Sequence, residues 1–388
     1  MRRVLELRGR KNAGSLSLLL LLAAQAAGCS DWPGEAIDPT AGAGASSDVI
    51  EPPPPPPTVG LDSVYLKAAF ATAEQLPRLR CLVVARHGEI LAEECFRGPG
   101  LDGYANVKSV SKSVISALVG IAIAEGYLEG ADQPILPFFA RYLSNDTATA
   151  KARITIGHLL SMQSGLERTS GNNYGRWVMS NDWVRFAITR PLVADPGGTR
   201  LYSTGNTHLL SAILTQATGR STWEYAREKL AEPLGIRLPR WTTDPQGIFF
   251  GGNEMLLTPR AMIRFGELYR TGGVVDGKQV VPSGWVAESL QPRTRSRSGR
   301  ERYGYSWFLG DFRGHEMFYA WGYGGQYIFV VPDLELTVAT TSDPDDPRTA
   351  GHNQAILRIV EDLIVPAAEL GASTTPTPDS NLLTATDG

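Results

Sequence analysis

The sequence predicts an α+β fold in which one antiparallel sheet is built from both ends of the chain. Two strand-like runs lie within residues 81–96, and four more lie between residues 303 and 342. The segment between these groups has mainly helical patterning. Strands at both ends with helices between them favour a single sheet flanked by helices, with an inserted helical lobe at about residues 113–280.

The order of the elements supports this architecture. A first helix is predicted in "SVYLKAAFATAEQL", and "CLVVARHGEILAEECF" reads as a hairpin folded about the turn residues "RHGE". The strand-like runs "YGYSWFLG", "MFYAWGYGG", "YIFVVP" and "LELTVATTS" follow the helical middle. A last helix is predicted from about residue 350 to 367. No linker or repeat interrupts residues 61–370, so we expect one domain in two lobes.

Composition and charge narrow the class of partner. The chain has 388 residues, of which 43% are hydrophobic and 20% charged, and its formal net charge is -3. This length and composition are enough for a large hydrophobic core. No long Lys/Arg run follows the first dozen residues, which argues against nucleic-acid binding. We expect a small-molecule substrate, whereas the oligomeric state cannot be read from the sequence.

The N-terminus has the pattern of an export signal. The basic stretch "MRRVLELRGRK" precedes the apolar run "LSLLLLLAAQAAG", which predicts a signal peptide at residues 1–28. Small residues directly before Cys29 resemble the lipobox of bacterial lipoproteins, which implies lipidation of Cys29 and a membrane anchor. Cleavage as a plain secretory signal is the alternative. Both outcomes export the chain, to the periplasm or to the outer membrane and cell surface.

Two further segments and two cysteines complete the organisation. Residues 29–60 are predicted to hold the anchor attachment and a linker stiffened by six consecutive prolines, and residues 371–388 a disordered tail. Cys81 and Cys95 should lie on adjacent strands of the hairpin. A cross-strand disulfide and two free thiols are both compatible with the sequence, because the register depends on the turn type.

One lysine stands out in the segment "ANVKSVSKSVISALVGIAIAEGY", which reads as a helix that is apolar nearly all round. Lys112 shares a helical face with Ser109, three residues earlier. A serine hydroxyl is a weak nucleophile unless a neighbouring group takes its proton, and desolvation favours the neutral amine of a lysine. A lysine that extends to water at the helix end is the structural alternative. We interpret Ser109 and Lys112 as a nucleophile and its base.

Four sequence blocks extend this interpretation to a family. In chain order they are "KSVSKSVISALVGIAIAEGYL", "ITIGHLLSMQSGL", "LYSTGNTHLLSAILTQATGRSTWEYAREKLAEPLGI" and "YAWGYGGQYIFVVPDLELTVATTS". Together they resemble the serine β-lactamase-like superfamily, most closely the branch of class C β-lactamases, penicillin-binding proteins, esterases and 6-aminohexanoate-oligomer hydrolases. The resemblance covers roughly residues 61–367. It implies hydrolysis through an acyl-enzyme, without a metal or an organic cofactor.

The resemblance also implies roles for individual residues. Ser109 corresponds to the acylated nucleophile, Lys112 to the motif lysine, and Tyr202 in "YSTGN" to the tyrosine that acts as general base and acid. A phenol beside a cation ionises more easily, which suits that role. The third motif falls in "AWGYGG", on a strand expected at the sheet edge beside Ser109. A backbone N–H of that strand would complete the oxyanion hole with the N–H of Ser109; the residues concerned are Trp321, Gly322 and Tyr323.

The sequence departs from the family pattern in two of its motifs. Thr204 stands where the second motif usually has Asn, and Asn206 is the nearby substitute. The third motif lacks its lysine, which makes efficient hydrolysis of carboxylate-bearing penicillins less expected. "Ser170-Gly171-Asn172" fits the S-x-N motif of other branches, but we place the second motif at Tyr202. Residues that we expect to bind substrate or to line its cleft are Asn206, Tyr174, Trp177, Trp183, Gly324 and Gly325.

The sequence therefore predicts an exported serine hydrolase that acts on ester or amide bonds of small substrates. Small esters and linear amides come first, ahead of D-amino-acid peptides and β-lactams. The alternative from a different class is a catalytically weak module of the same fold that binds or senses cell-wall fragments. None of the five histidines forms a pair with metal-ligand spacing, so we predict no metal site.

Overall fold

The computed structural model describes residues 35–36, 60–295, 301–346 and 350–371. The predicted signal peptide, Cys29, the six prolines and the tail after Gly371 lie outside the described residues. Within the described part of the chain, no helix is both long enough and apolar enough to cross a bilayer.

The described residues form one nine-stranded antiparallel sheet, in the spatial order β1-β8-β9-β10-β11-β12-β13-β2-β3. The N-terminal hairpin lies beside the last strand, since β2 pairs with β13. This confirms the predicted α+β fold with one sheet from both ends of the chain. The strands are β1 (Glu35–Ala36), β2 (Leu79–Arg86), β3 (Glu89–Cys95), β8 (Thr294–Arg295), β9 (Arg302–Tyr303), β10 (Phe308–Phe312), β11 (His315–Gly322), β12 (Gln326–Val331) and β13 (Leu336–Ser342).

Two small ribbons accompany the main sheet. One pairs β4 (Ala105–Asn106) with β5 (Leu256–Leu257), and it joins the segment before Ser109 to the far end of the helical lobe. The other pairs β6 (Val274–Val275) with β7 (Lys278–Gln279). The first ribbon matters for the site, because it brings together residues that are about 150 positions apart in sequence.

The strand that carries the third motif is not an edge strand, so that expectation was wrong. β11 is the fifth of the nine strands and pairs with β10 on one side and β12 on the other. Its neighbour β10 is a five-residue strand within the predicted run "YGYSWFLG", and the sheet continues beyond it through the two-residue strands β9, β8 and β1. Periodicity identifies a strand but not the order in which strands pair, so the sequence could not show that β10 covers this side of β11.

The helices of the described residues fall into groups on the two faces of the sheet and in the lobe. They are α1 (Ser63–Glu74), α2 (Ser111–Ala124), α3 (Leu136–Phe139), α4 (Asn145–Lys151), α5 (Ile156–Leu160), α6 (Tyr174–Val178), α7 (Trp183–Ile188), α8 (Thr204–Thr218), α9 (Thr222–Ala226), α10 (Pro259–Arg270), α11 (Ser283–Ser289), α12 (His352–Ile359) and α13 (Val365–Gly371). Helix α1 packs with α12 and α13 over one sheet face.

Helix α10 lies inside the range predicted for the helical lobe, yet it packs on the other face of the sheet. Gly266 permits the close approach, because a Cβ there would lie 2.7 Å from Thr337 Cγ2 and 2.8 Å from Ile328 Cγ2. Side chains spaced three and four residues apart form its buried stripe, as expected for a helix that covers a sheet. They include Met262, Phe265 and Tyr269.

Helix α2 runs through the core between the sheet and the helical lobe. Twelve of its fourteen residues are buried, and they include Lys112. Gly120 lies against the indole of Trp285, where a Cβ would come within 2.1 Å of Cδ1. Since this helix is enclosed on all sides, polar groups at its N-terminus must find partners within the protein.

The two cysteines of the hairpin are directly opposite each other on β2 and β3. In the structure Cys81 and Cys95 form a disulfide across this strand pair. The bond closes the hairpin at the end remote from the turn at His87 and Gly88.

Candidate active site

The nucleophile candidate lies at the entrance to helix α2. Ser109 is the middle residue of a single 3₁₀ turn, Lys108–Val110, that leads into the helix. Its side chain is half-buried. Two neighbouring serines are engaged elsewhere: Ser111 Oγ donates to the Lys108 carbonyl at 2.7 Å, and Ser113 Oγ donates to the Ser306 carbonyl at 2.6 Å. Ser109 is therefore the serine of this segment that faces Lys112.

The lysine is buried and has polar partners on several sides. Lys112 is 1% exposed, and its Nζ lies 2.9 Å from Ser109 Oγ. The same nitrogen donates to the Gly252 carbonyl at 2.7 Å and lies 3.4 Å from Thr204 Oγ1. These contacts replace the water that burial removes. They also fix the position of the amine relative to the serine hydroxyl.

Tyr202 lies on the other side of the lysine. It is half-buried in the extended segment that precedes α8, and Lys112 Nζ is 5.1 Å from the centroid of its ring. The ring packs against Tyr303 and Phe308, with centroid distances of 6.4 and 6.5 Å. The structure thus brings together the three residues that the sequence singled out, Ser109, Lys112 and Tyr202.

The third motif lies against the turn that carries the nucleophile. A Cβ at Gly322 would lie 2.2 Å from the Val107 carbonyl oxygen and 3.1 Å from Lys108 Cβ, so the position accepts only glycine without movement. Trp321 is half-buried and stacks on Tyr327, with ring centroids 6.3 Å apart. Tyr323 follows in the turn after β11. A backbone strand at this place is the arrangement that an oxyanion hole beside Ser109 requires.

The two glycines that follow have contacts within the fold. Gly324 and Gly325 both have positive φ, of 88° and 102°. A Cβ at Gly324 would lie 2.7 Å from Pro344 Cα, and one at Gly325 would lie 2.6 Å from Ser342 Oγ. These contacts shape the turn between β11 and β12, and substrate binding by the two glycines stays a prediction.

The aromatic residues expected along the cleft lie in the core instead. Trp177 is 0% exposed, and its indole nitrogen donates to the Trp183 carbonyl at 3.0 Å. Tyr174 is also buried, and its hydroxyl accepts a hydrogen bond of 2.8 Å from Asn253. Both tryptophans pack around the buried pair of His208 and Asp244. Because these side chains are enclosed in the core, they do not line the wall of a cleft as expected.

The neighbourhood of the second motif differs in detail from the expectation. Asn206 is buried, and its Oδ1 accepts a hydrogen bond of 3.1 Å from Ser164, so it does not replace Thr204 beside the lysine. Thr204 itself lies next to Lys112 and is 3.1 Å from Ser170 Oγ. Ser170, the first residue of the S-x-N pattern, therefore contacts the Thr204 hydroxyl, which in turn lies beside Lys112 Nζ.

Sequence reasoning missed the acceptor on Gly252. A backbone carbonyl has no side-chain signature, and Gly252 is 140 residues from Lys112 in the chain. A Cβ at Gly252 would lie 2.4 Å from Thr207 Oγ1 and 3.1 Å from Lys112 Nζ. The pair "Gly251-Gly252" was the available signal, because adjacent glycines often mark a close backbone approach.

Burial shifts the pKa of three other side chains on or beside the sheet. Burial raises the pKa of Tyr319 and of Tyr327, and the Glu301 carboxylate adds to both effects. Burial, with a contribution from Arg78, lowers the pKa of His352 to about 4. Among the described residues, no group of three or more His, Cys, Asp and Glu side chains is placed to hold a metal ion.

Comparison with known proteins shows the family of the chain. The family model described as Beta-lactamase matches residues 82–361. A 6-aminohexanoate-dimer hydrolase of Paenarthrobacter ureafaciens is 27% identical over 295 residues, which cover 69% of this chain and 73% of the relative.

Solved structures agree at the level of the fold. A D-stereospecific amidohydrolase from Streptomyces sp. is similar with a TM-score of 0.62 and 17% identity, over 77% of this chain and 98% of the other. EstCE1, described as a hydrolase with promiscuous acyltransferase activity, is similar with a TM-score of 0.62 and 19% identity, over 75% and 98%. The chain therefore belongs to the Beta-lactamase family and has the fold of its serine hydrolases.

Proposed function

We propose that the protein cleaves ester or amide bonds of small substrates through an acyl-enzyme on Ser109. The observation that carries the proposal is the position of Lys112 Nζ, 2.9 Å from Ser109 Oγ and 2.7 Å from the Gly252 carbonyl. The Gly252 carbonyl accepts from this amine, and Thr204 Oγ1 lies 3.4 Å from it. These contacts hold the Lys112 amine within hydrogen-bond distance of the Ser109 hydroxyl, where a proton can pass between the two groups.

Acylation follows from this arrangement. Ser109 Oγ attacks the substrate carbonyl, while Lys112 with Tyr202 takes the hydroxyl proton. The N–H of Ser109 and a backbone N–H of the third motif bind the oxyanion. Tyr202 then gives a proton to the leaving alcohol or amine, and the bond to the leaving group breaks.

Deacylation uses the same groups in reverse. Water attacks the acyl-enzyme, its proton passes to Tyr202 and Lys112, and Ser109 leaves with a proton restored to its hydroxyl. General acid–base catalysis of this kind typically accelerates a step by ~10²–10⁴-fold. A binding module without catalytic activity is less well supported, because Ser109, Lys112 and Tyr202 are all present. Lys112 Nζ is 2.9 Å from Ser109 Oγ and 5.1 Å from the centroid of the Tyr202 ring.

Small esters and linear amides are the substrates that we favour. The relative named 6-aminohexanoate-dimer hydrolase supports a linear amide. The third motif has Trp321 and Gly322 where β-lactamases of this superfamily have a lysine-containing motif, which disfavours a substrate carboxylate at that place. D-amino-acid peptides and β-lactams follow in that order.

A substrate panel tests this proposal. The purified protein is assayed with p-nitrophenyl esters, the linear 6-aminohexanoate dimer, D-amino-acid peptides and nitrocefin. We expect the highest kcat/KM for an ester or the linear amide, and loss of that activity in Ser109→Ala. A preference for nitrocefin would contradict the substrate order. Equal rates for the wild type and Ser109→Ala would contradict the proposal that Ser109 is the nucleophile of an enzyme.

We also propose that the protein is an exported lipoprotein held to a membrane at Cys29. The N-terminal pattern supports this, and so does the Cys81–Cys95 disulfide, since disulfides persist mainly in oxidising compartments. The test is fractionation of cells that express the wild type or Cys29→Ser. We expect the variant to leave the membrane fraction, and retention in that fraction would contradict the anchor.

A further inference from the structure

We propose that Asn106, Lys108 and Glu254 form a positioning cluster that sets the geometry between Ser109 and Lys112. The inference rests on the proposed function and adds three positioning residues to it. None of the three is assigned a contact with the substrate.

The cluster is a closed set of polar contacts. Glu254 accepts a hydrogen bond of 2.6 Å from Asn106 Nδ2 through one carboxylate oxygen, and Lys108 Nζ lies 3.5 Å from the other. Asn106 Oδ1 in turn accepts the backbone N–H of Lys108 at 3.1 Å. Asn106 thus hydrogen-bonds to both the side chain of Glu254 and the backbone of Lys108. Its contacts keep the Lys108 ammonium close to the Glu254 carboxylate.

Two members of the cluster have strained backbones. Lys108 has φ of 51° and Glu254 has φ of 63°, which is the left-handed region. A side chain with a Cβ enters this region only at a steric cost. Such residues persist where the surroundings determine the conformation, and they occur often at functional sites. Here the surroundings are the partners within the cluster.

The strained residues lie close in sequence to two of the residues that contact Lys112, Ser109 and Gly252. Lys108 directly precedes Ser109, which faces the lysine, and Glu254 follows Gly252, whose carbonyl accepts from it, by two positions. The backbone joins the same two segments, because the Val107 N–H donates to the Met255 carbonyl at 2.9 Å. The cluster therefore ties the turn that presents the nucleophile to the loop that holds the base.

Burial makes the ion pair between Lys108 and Glu254 a weak source of stability, because both charges lose contact with water. The side chain of Lys108 is 4% exposed and that of Glu254 is 20% exposed. Desolvation offsets most of the attraction in such a pair, and apolar side chains often stabilise a protein as well or better. We therefore assign the pair a role in conformational specificity. It fixes the backbone conformation next to Ser109 and Gly252.

The test compares variants of the cluster with a matched ion pair elsewhere. Glu254→Ala removes the carboxylate, and Glu254→Gln keeps an acceptor for Asn106. Lys108→Gly removes the ammonium but adopts the same φ without strain, so it preserves the folded backbone. Glu93→Ala is the control, because Glu93 on β3 is 24% exposed and its ion-pair partner is Arg260 of helix α10. Each protein is assayed for ester kcat and KM, for its rate of labelling by a fluorophosphonate, and for Tm.

We expect Glu254→Ala to lower kcat and the labelling rate by ~10–100-fold with KM changed less than about threefold, because small displacements of reacting groups cost about that much. Glu254→Gln should lose less than Glu254→Ala. Lys108→Gly should lose activity while its Tm stays at the wild-type value. Glu254→Ala should lower kcat by a smaller factor in the Lys108→Gly background than in the wild type, because the two residues act together. Glu93→Ala should keep the wild-type rates.

The outcomes separate this inference from the proposed function. If the wild type is not labelled at Ser109, the proposed function fails. If the wild type is labelled and Lys108→Gly and Glu254→Gln react at the wild-type rate, the positioning cluster is refuted while the enzyme stands. A fall in kcat that only follows a fall in Tm, seen equally in Glu93→Ala, would also refute it.

Discussion

The Nζ atom of Lys112 lies 2.9 Å from the Oγ atom of Ser109, and the lysine is almost completely buried. This relationship joins the fold to the proposed chemistry. Helix α2 supplies the shared face, the core removes water, and the Gly252 carbonyl orients the amine. A lysine without such partners would destabilise the core, whereas here its contacts place it to exchange a proton with the serine.

The first prediction concerns the acid–base pair. Tyr202→Phe removes one hydroxyl and keeps a ring that packs on Tyr303 and Phe308, so stability should remain close to that of the wild type. We expect kcat for an ester to fall by ~10²–10⁴-fold in Tyr202→Phe and in Lys112→Ala. Stopped-flow or steady-state ester hydrolysis measures the change.

Tyr225→Phe is the matched control for that series. The Tyr225 hydroxyl donates to Glu125 in the helical lobe at 2.9 Å. Loss of this hydroxyl should leave kcat within about twofold, since the residue has no contact with the site. Equal losses in Tyr202→Phe and Tyr225→Phe would show that the hydroxyl of Tyr202 has no specific role.

The second prediction concerns the close approach of the third motif. In Gly322→Ala the new methyl group would meet the Val107 carbonyl, so β11 or the nucleophile turn must shift. We expect a loss of ~1–3 kcal/mol in the free energy of unfolding from overpacking, and a fall in kcat of ~10²-fold from displacement of the oxyanion site. Urea unfolding and ester hydrolysis measure both effects.

Gly284→Ala provides the comparison for this substitution. Gly284 lies in helix α11 and has nothing within 4 Å of a built Cβ. Alanine is favoured over glycine in a helix, so this variant should be as stable as the wild type or slightly more stable. If Gly322→Ala kept wild-type activity and stability, the assignment of Gly322 to the oxyanion strand would be wrong.

The third prediction is a dependence of stability on pH. His352 has a pKa of about 4 in the folded protein against 6.5 in its ordinary state, because burial disfavours the charged imidazole. Between these values the unfolded chain binds more protons than the folded one. The free energy of unfolding should therefore fall as the pH decreases from 6.5 to about 4, by about 3 kcal/mol at most from this residue.

His352→Gln isolates this effect. Its amide can keep the contact with Ser342 Oγ, which lies 3.0 Å from His352 Nε2, but it does not titrate. Urea unfolding of both proteins at several pH values from 4 to 7.5 gives the difference. As the pH falls from 6.5 to 4, the wild type should lose stability relative to His352→Gln, and parallel curves throughout this range would contradict the prediction.

Much of the fold could be predicted from the sequence, because long elements carry strong periodic signals. The helix from Ser111, the hairpin closed by Cys81 and Cys95, and the four long C-terminal strands all have such patterns. The position of β11 within the sheet could not be predicted. It depends on the pairing of β11 with β10, and the side-chain pattern of a strand does not show which strands lie beside it.

The site was predictable only where chemistry resides in side chains. Ser109, Lys112 and Tyr202 have residue types and spacings that point to one mechanism. The Gly252 carbonyl and the contact of Glu254 with Asn106 arise from the ribbon of β4 and β5, which joins distant segments. Trp177 was misplaced for a related reason, since an aromatic residue near a loop has the same sequence appearance on a cleft wall and in a core.

The most direct measurement is the mass of the protein after reaction with a fluorophosphonate, followed by peptide mapping. The wild type should gain the mass of one phosphonyl group, located on the peptide that contains Ser109. Ser109→Ala should gain none. Ser113→Ala should be labelled like the wild type, because Ser113 lies in helix α2 and its hydroxyl donates to the Ser306 carbonyl. Labelling of Ser109→Ala at the wild-type rate, or an adduct on a different residue of the wild type, would contradict the account.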